Sequence, residues 1–512
     1  MCGILFVEQP CGGPIGPAEF SRALERQTWR GPDATRMSVI QDGAVLLGHN
    51  RLSIIDPVAA SDQPMKSANG RYEIIFNGEI YNHMLLRERF KLRCRRSSDT
   101  ETIIELFAQL GTEAFVLLEG MFALVLFDHE TRRWWAVRDR VGIKPLYFAR
   151  QGNVTIIASE PATINVLVPS GIDAASLEEL RVARRPVPGH TYFKAVKELL
   201  PGNILCSDGT IERFGARQGV SPVAFRQDDL EALLAESVGS HEMSDVPVVS
   251  MLSGGIDSAL IARLSRTRQT YCVGLTDNNE GAAAAETAHA LDKKITITLV
   301  QHADIRKTWR DLCAIRGEPL SVPNEALIYT CCQAMGSEEK VVLTGEGADE
   351  LFFGYDRIFR WATDQVEWPG AAAFLQVYGY ADVTPAVARL MDYVETLRGN
   401  SSTQDFVEDF FLEFHLPGLL RRMDFAAMAA SKEARVPFLS TALLTYMYRR
   451  PASLRIDKMY GKLPLRTACR NLGISGTLER AKIGFSATPT QMTRHQEYKQ
   501  FYDLCLEELR WS

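Results

Sequence analysis

The sequence lacks several features that would place a protein in a broad class at once. It has no uninterrupted run of about 18 apolar residues, so no membrane-spanning helix is predicted. Its 57 lysines and arginines are outnumbered by 63 aspartates and glutamates, and a net charge of −6 argues against nucleic acid as the main partner. The N-terminus lacks the basic segment and apolar stretch of a signal peptide, which predicts a cytoplasmic protein.

Metal-binding and disulfide patterns are also missing. None of the ten cysteines lies in a CxxC pair, and the nine histidines do not follow ligand spacing. Neither a zinc site nor a disulfide framework is therefore indicated. What is present is a globular composition, 46% hydrophobic and 23% charged, in a chain of 512 residues. That length predicts at least two domains.

Two patterns of secondary structure divide the chain. The N-terminal part contains short β patterns such as GMFALVLFDHETRRWWAVRD, with only a few helical stretches between them. This pattern predicts a layered sheet domain with helices packed outside. Further on, strands alternate with helices in the rhythm of a doubly wound parallel sheet, and the C-terminal part looks mostly helical. We therefore predict two domains, residues 1–212 and 213–512.

A glycine-containing loop joins a buried strand to a helix in VPVVSMLSGGIDSALIARL. Glycines let the backbone approach an anion, and the first amides of the helix face it with the positive end of the dipole. The loop matches neither a G-x-G-x-x-G fingerprint nor a Walker loop ending in GKS or GKT. Ser253 and Ser258 add hydroxyl donors, whereas Asp257 would repel phosphate unless Mg²⁺ lay between them. A plain strand-to-helix turn is the alternative.

A second strand end, in KVVLTGEGADELFFGY, carries three carboxylates: Glu346, Asp349 and Glu350. Carboxylates so close together repel one another without a cation to bind. Parallel sheets bind ligands at the carboxyl ends of neighbouring strands. The sequence therefore predicts that Asp257 and Asp349 share Mg²⁺ there, with a solvated acidic turn as the alternative.

Together, SGGIDS and LTGEGADELFFGY resemble the ATP-pyrophosphatase domain of the asparagine synthetases. The motifs MCGI, RGPDA, GHNRLSIID, FNGEIYNH, SSDTETI and GMFALVLFD resemble, in order, those of a class II glutamine amidotransferase. VRDRVGIKPLYF, ASE, EARVPFLS and RAKIGFSATP continue the match. The resemblance implies an α/β multidomain fold. An N-terminal αββα Ntn-hydrolase-type glutaminase sandwich would precede a doubly wound parallel-sheet ATP-pyrophosphatase domain with a helical C-terminal part. Relatives often form homodimers.

In the N-terminal half, the resemblance makes Cys2 the nucleophile that attacks glutamine once the initiator methionine is removed. The α-amine of the same residue, with a reference pKa of about 7.7–8.0, can activate the thiol. Arg51 would pair with the α-carboxylate of glutamine. The other implied residues are Glu79 and Asp99 for the α-ammonium, and Asn77 and Gly78 for the oxyanion. An inert second residue, a salt bridge for Arg51 and a plain turn at NGE are the alternatives.

In the C-terminal half, the resemblance implies that ATP adenylates a carboxylic acid, and that ammonia from glutamine, carried through a tunnel between the domains, yields the amide. The implied ATP-binding residues are Leu252, Ser253, Gly254, Gly255, Asp257, Ser258, Val273, Thr344, Gly345 and Lys482. Lys482 would also offset the negative charge that develops as pyrophosphate leaves. The alternative is that Lys482 is only a surface cation. Tyr355 and Glu346 would lie where acceptor and intermediate meet.

The acceptor pocket departs from the pattern of asparagine-forming members, which carry an arginine flanked by hydroxyl residues before the second loop. Here the stretch reads GEPLSVPNEALIY. Ser321 keeps a hydroxyl, but Pro323, Asn324 and Glu325 replace the cationic turn. Aspartate and a non-aspartate carboxylic acid of specialised metabolism therefore both stay open as acceptors. Cys2 argues against ring closure as in β-lactam synthetase, and the complete residue sets argue against a non-catalytic scaffold.

Overall fold

The computed structural model describes residues 2–214, 223–478, 480 and 487–511, and these divide into two compact units. The first unit contains the described residues of Met1–Asp173, Pro188–Arg217 and Ser244–Val246. The second contains those of Ala174–Val187, Gln218–Met243 and Pro247–Ser512. Within these described ranges, no helix combines the length and the apolar character needed to cross a bilayer.

The first unit consists mainly of strands. They are β1 (Gly3–Glu8), β2 (Ala34–Ile40), β3 (Val45–Arg51), β4 (Met65–Lys66), β5 (Tyr72–Ile80), β6 (Gly120–Asp128), β7 (Trp134–Arg138), β8 (Tyr147–Gln151), β9 (Val154–Ala158), β10 (Lys197–Glu198), β11 (Asn203–Cys206) and β12 (Ile211–Arg213). Its helices are α1 (Pro17–Glu25), α2 (His83–Phe90), α3 (Asp99–Leu110), α4 (Ala114–Leu117) and α5 (Pro161–Leu167).

These strands form two antiparallel sheets, with the orders β10-β8-β9-β1-β3-β2 and β12-β11-β7-β6-β5-β4. Side chains from both sheets, including Ile4, Phe6, Val125 and Phe127, form one apolar layer between them. On the outer faces, α1 and α5 pack on the first sheet and α3 packs on the second. Strand β6 is buried along most of its length because it is covered on both faces. The unit is the expected αββα sandwich.

The second unit alternates helices and strands before becoming helical. Its elements are α6 (Ala174–Ala183), α7 (Gln227–His241), β13 (Val248–Met251), α8 (Ile256–Leu264), β14 (Gln269–Leu275), α9 (Gly281–Ala290), β15 (Lys294–Val300), α10 (His302–Arg316), α11 (Glu325–Gln333), β16 (Val341–Leu343), α12 (Ala348–Leu351), α13 (Asp356–Asp364), α14 (Ala371–Tyr378), α15 (Ala388–Arg398), α16 (Thr403–Phe410), α17 (Leu416–Ala429), β17 (Glu433–Arg435), α18 (Thr441–Met447), α19 (Ala452–Arg455), α20 (Leu463–Asn471) and α21 (Arg494–Leu509).

The sheet of the second unit is parallel, with the order β15-β14-β13-β16-β17. The chain starts at the central strand β13, winds outward to β15, and then returns to continue on the other side at β16. The loops that follow β13 and β16 therefore leave in opposite directions and open a crevice at the switch point, where such sheets bind ligands. The doubly wound prediction is confirmed.

Helix α6 belongs to the second unit although its neighbours in sequence belong to the first. Its Glu179 is fully buried and pairs with Arg389, with 2.7 Å between Oε1 and Nε. Val182, at the end of the helix, joins an apolar cluster that contains Phe374 and Phe410. The predicted boundary between residues 212 and 213 places α6 in the first domain, whereas its side chains pack in the second unit. An amphipathic pattern predicts a helix but does not indicate which of two cores the helix packs against.

A π-helix at Phe411–His415 separates α16 from α17. Pro417, in the first turn of α17, has no backbone N–H to complete the usual ladder of hydrogen bonds. The wider turn before it ends on His415, which is buried against Tyr355 and Tyr378. Such bulges are frequent at functional sites.

Candidate active site

Cys2 lies directly before β1 and is 8% exposed. Its backbone nitrogen donates a hydrogen bond of 2.9 Å to Oδ1 of Asn77, on β5 of the other sheet. Removal of Met1 would turn this nitrogen into the α-amine. The Nδ2 of Asn77 is buried and has no hydrogen-bond partner among the described residues. An unused amide donor beside Cys2 is what a developing oxyanion requires.

Gly78 lets β5 approach β6 closely at this point. Its φ is +155°, and a Cβ there would clash with the carbonyl oxygen of Met121 and with Cα of Phe122. Any larger residue would push the two strands apart next to Asn77. The glycine of the NGE motif therefore has a steric reason besides the predicted oxyanion role.

Arg51 lies at the same end of the sheets as Cys2, because strand pairing places its neighbour Asn50 opposite Gly3. Its guanidinium is 2.7 Å from a carboxylate oxygen of Asp62. It also donates to the carbonyl oxygens of Asp56 and Val58, at 2.7 Å each. These contacts hold the loop after β3 and orient the arginine in advance. A glutamine carboxylate would meet a planar cation whose direction is already set.

The two predicted ammonium-binding carboxylates are brought together by β5. Asp99, the first residue of α3, accepts hydrogen bonds from the backbone N–H of Ile80 at 3.0 Å and of Thr100 at 2.8 Å. Glu79 precedes Ile80 on β5, and both carboxylates are 4% exposed. Buried carboxylates near Asn77 suit the ammonium group of an amino acid.

Arg30 and Glu160 belong to this site although no role was predicted for them. Nε of Arg30 donates to the carbonyl oxygen of Cys2 at 3.0 Å. A second nitrogen of Arg30 pairs with Glu160 at 2.6 Å, and both side chains are almost completely buried. The pair therefore positions the backbone of Cys2. Arg30 lies in the RGPDA motif and Glu160 in the ASE motif. The motifs therefore marked both residues, but they did not show that the two side chains form an ion pair.

The loop after β13 is shaped by its own serines. Oγ of Ser258 accepts a hydrogen bond from the N–H of Ser253 at 3.0 Å and lies 3.0 Å from Oγ of Ser253. The N–H of Gly254 donates to Oε2 of Glu280 at 3.2 Å. A phosphate bound to this loop would compete with Glu280 for that amide.

The loops after β13 and β16 meet at Gly345. A Cβ on Gly345 would lie 3.0 Å from Cβ of Asp257 and 3.3 Å from the backbone nitrogen of Ser258. Glycine is therefore what allows the two loops to approach. The remaining predicted ATP-binding residues are held by the sheet: Leu252 N–H donates to Tyr271, Thr344 N–H donates to Arg435, and Val273 is buried on β14. Lys482 lies outside the described residues.

Lys462 joins the two carboxylates that were predicted to share Mg²⁺. Its Nζ is 2.6 Å from Asp257 and 2.7 Å from Asp349. Gly354 makes room for it, since a Cβ there would clash with Asp349 and with Cε of Lys462. No role was predicted for this residue, which directly precedes α20 and is far from both partners along the chain.

The other carboxylates of the GEGADE segment face different partners. Glu346 pairs with Arg422, and Glu350 accepts a hydrogen bond of 2.7 Å from the hydroxyl of Tyr355. Burial and the charges of Asp349 and Glu346 raise the pKa of Glu350 to about 7. Each carboxylate thus has its own partner, so repulsion within this segment does not by itself require a metal.

A separate observation fits Mg²⁺. Oδ1 of Asp257 is buried and has no hydrogen-bond partner in the described part of the chain. A bare carboxylate oxygen is the kind of ligand that Mg²⁺ prefers, together with waters and substrate phosphates. Within residues 2–214, 223–478, 480 and 487–511, no cluster of three or more His, Cys, Asp or Glu side chains could hold a metal alone. Asp257 and Asp349 therefore fit an ion that shares its remaining ligands with ATP.

Comparison with known proteins identifies both parts of the chain. Residues 1–214 match the family model described as a glutamine amidotransferase domain, and residues 229–510, more than half of the chain, match the one described as asparagine synthase. The glutamine-hydrolysing asparagine synthetase 1 of Bacillus subtilis is 28% identical, over 95% of this chain and 87% of its own. Asparagine synthetase B of Escherichia coli is 31% identical over 66% and 61%. Amidase chry2 of Gibberella zeae is 29% identical over 70% and 60%. The chain belongs to the asparagine synthase family and carries an N-terminal glutamine amidotransferase domain.

Proposed function

We propose that this protein hydrolyses glutamine in its first unit and uses the ammonia in its second unit to convert an ATP-activated carboxylic acid into an amide. One observation carries the proposal: the nitrogen of Cys2 is held by Asn77, whose free Nδ2 points to an oxyanion role. That pairing gives the family's nucleophile a base and a stabilising donor at one place.

In the first unit, the thiol of Cys2 would attack the side-chain amide of glutamine and pass its proton to the α-amine. The tetrahedral intermediate would collapse to a thioester and release ammonia, and water would then release glutamate. Arg51 would hold the α-carboxylate of glutamine, and Asp99 and Glu79 would hold the α-ammonium. The buried pair of Arg30 and Glu160 keeps the backbone of Cys2 in place throughout.

In the second unit, a carboxylate oxygen of the acceptor would attack the α-phosphate of ATP, giving an acyl-adenylate and pyrophosphate. Ammonia would then displace AMP and form the amide. The serine loop and Lys462 lie at the switch point, where they would bind the phosphates. Asp257 and Asp349 would hold Mg²⁺, which supplies charge neutralisation for the leaving pyrophosphate. We assign Lys482 the same phosphate-binding role that the family motif implies.

Aspartate is the first candidate for the acceptor, because the relatives above are named asparagine synthetases. The second candidate is a different carboxylic acid. It is favoured by the stretch GEPLSVPNEALIY, in which Glu325, the first residue of α11, is fully buried and pairs with Arg316 at 3.1 Å. This segment therefore offers the acceptor no cationic side chain of the kind that asparagine-forming members carry.

ATP–pyrophosphate exchange with a panel of carboxylic acids tests the second half of the proposal and identifies the acceptor. Stimulation by aspartate alone would reject the second candidate, and no stimulation by any acid would reject the synthetase activity. Cys2→Ala tests the first half. It should abolish the use of glutamine and leave synthesis from added ammonia intact, whereas loss of both would contradict two separate sites.

A further inference from the structure

A small cavity in the second unit lies beside the candidate acceptor site. It is partly open to solvent, and its lining includes three arginines, Arg184, Arg185 and Arg422, together with His415 and Ser321. Among the described residues that line it there is no aspartate or glutamate. The lining of the cavity therefore favours an anion over a cation.

Arg422 connects this cavity to the loop after β16. Its guanidinium pairs with Glu346 and lies 3.4 Å from the amide oxygen of Asn324. The residue is only 8% exposed, and its Nε is buried without a hydrogen-bond partner in the described part of the structure. An unmet donor on a buried cation is costly and points to an acceptor atom that is supplied by a ligand.

Arg184, which follows helix α6, has only neutral partners. It donates to the hydroxyls of Tyr380 at 2.8 Å and Tyr378 at 3.3 Å, and one nitrogen lies 3.2 Å from Nδ1 of His415. Burial lowers the pKa of His415 well below its ordinary value, so the imidazole is neutral. No ion pair of Arg184 occurs within the described ranges. Its charge is therefore unbalanced until an anion enters the cavity.

Glu325 is not an obstacle to an anionic ligand. Its carboxylate faces inward, where it accepts from the N–H of Ser321 at 2.5 Å and pairs with Arg316. Ser321 and Val322, which directly precede the residues that replace the usual cationic turn, line the cavity. The negative charge of Glu325 is thus already balanced by Arg316.

We propose that the acceptor is a dicarboxylic acid without an ammonium group, whose second carboxylate is bound by Arg184 and Arg422. This inference rests on the proposed function, because it assumes that the first carboxylate is adenylated beside Glu346. The cavity wall offers an ammonium group several repelling guanidiniums and no carboxylate among the described residues. Succinate, glutarate and adipate are the simplest acids of this class.

The test is ATP–pyrophosphate exchange with matched acids of four to six carbons. Each diacid is compared with the monocarboxylic acid of equal length and with its 2-amino derivative, which for succinate are butyrate and aspartate. At least one diacid should have a KM about tenfold to a hundredfold lower than both counterparts, the range of a charge-assisted hydrogen bond. Equal use of the monocarboxylic acid, or preference for the amino acid, would overturn the inference while leaving the proposed function intact.

Arg184→Met should raise the KM for the diacid about tenfold to a hundredfold while the KM for ATP stays unchanged. Arg184→Lys should recover part of the loss, since it retains the charge. Arg181→Met is the matched control, because Arg181 is an exposed arginine of α6 that pairs with Glu178. A loss that affects monocarboxylic acids and diacids alike would show a structural role for Arg184 and overturn the assignment.

Calorimetric titration of the same diacid into the full chain separates this inference from the proposed function. If no acid supports exchange, the proposed function fails. Binding of the diacid that Arg184→Met abolishes and Arg184→Lys retains would then still support the dicarboxylate site. Absence of binding to the unmodified chain would overturn the site as well.

Discussion

Replacing Lys462 with methionine should leave Asp257 and Asp349 facing each other without the cation that now joins them. The side-chain exposures of the three residues are 7%, 14% and 19%, so water screens the charges only weakly. Removing one partner of a buried ion pair costs about 3–5 kcal/mol. Because none of the three side chains is completely buried, we take the lower end, about 3 kcal/mol, for the second unit.

At an unfolding entropy of about 2.1 cal/mol/K per residue, 1 kcal/mol corresponds to about 1.5 °C in a unit of roughly 300 residues, so the substitution should lower Tm by about 5 °C. Mg²⁺ should restore part of this loss, because two carboxylates without a lysine between them form a better site for a divalent cation than a lysine-bridged pair. The unmodified protein should respond less to Mg²⁺ when ATP is absent. ATP–pyrophosphate exchange should also fall, whereas glutamine hydrolysis should persist.

Differential scanning calorimetry with and without MgCl₂ measures both effects. Lys458→Met is the control, because Lys458 is an exposed lysine close to Lys462 in the sequence. A Lys462→Met protein with an unchanged Tm, equally insensitive to Mg²⁺, would refute the bridge between the two carboxylates. Parallel loss of glutamine hydrolysis would show that the substitution damages more than this site.

Three further predictions follow from the two sites. Asn77→Ala should lower kcat for glutamine hydrolysis about 100–1000-fold with little change in KM, as expected for a lost oxyanion donor; a large rise in KM in the steady-state assay would contradict this. Asp349→Asn should suppress ATP–pyrophosphate exchange while glutamine hydrolysis stays measurable, and loss of both would count against separate sites. Burial lowers the pKa of His49 to about 3, so only the unfolded chain takes up this proton as the pH falls below about 6.5. The contribution of His49 to the free energy of unfolding is thus complete above that pH and decreases by about 1.4 kcal/mol per pH unit below it. In urea unfolding, the free energy of unfolding should therefore fall less steeply with decreasing pH for His49→Gln than for the unmodified protein. The exposed His495→Gln should not change this slope.

Local patterns were sufficient to predict the elements that carry the phosphate loop and the glutaminase motifs. The SGGIDS segment lies between β13 and α8 because an apolar run, two glycines and a helical pattern follow one another. The pairing of β13 with β16 was also predictable, since strands in a doubly wound sheet follow a limited set of orders. In these cases a single stretch of sequence holds the whole signal.

The contacts that complete the sites could not be predicted in this way. Lys462 meets Asp257 across 205 positions of the chain, and Arg184 meets His415 across 231. Nothing near either residue marks it as a partner of the other, because the contact depends on how separate elements pack. The ion pair of Glu325 could not be predicted for the related reason that its partner, Arg316, lies on a different helix, α10.

The excursion of Ala174–Val187 limits how this protein can be divided or recombined. A chain cut after residue 212 would carry α6 away from the core that covers Val182, and would leave Arg389 without the carboxylate of Glu179. If residues 1–212 were replaced by the corresponding part of a relative, that relative's counterparts of α6 and Arg184 would have to pack into the second unit of this protein. Swaps that keep residues 174–187 with the C-terminal part should therefore yield stable chimaeras more often than swaps at the linear boundary.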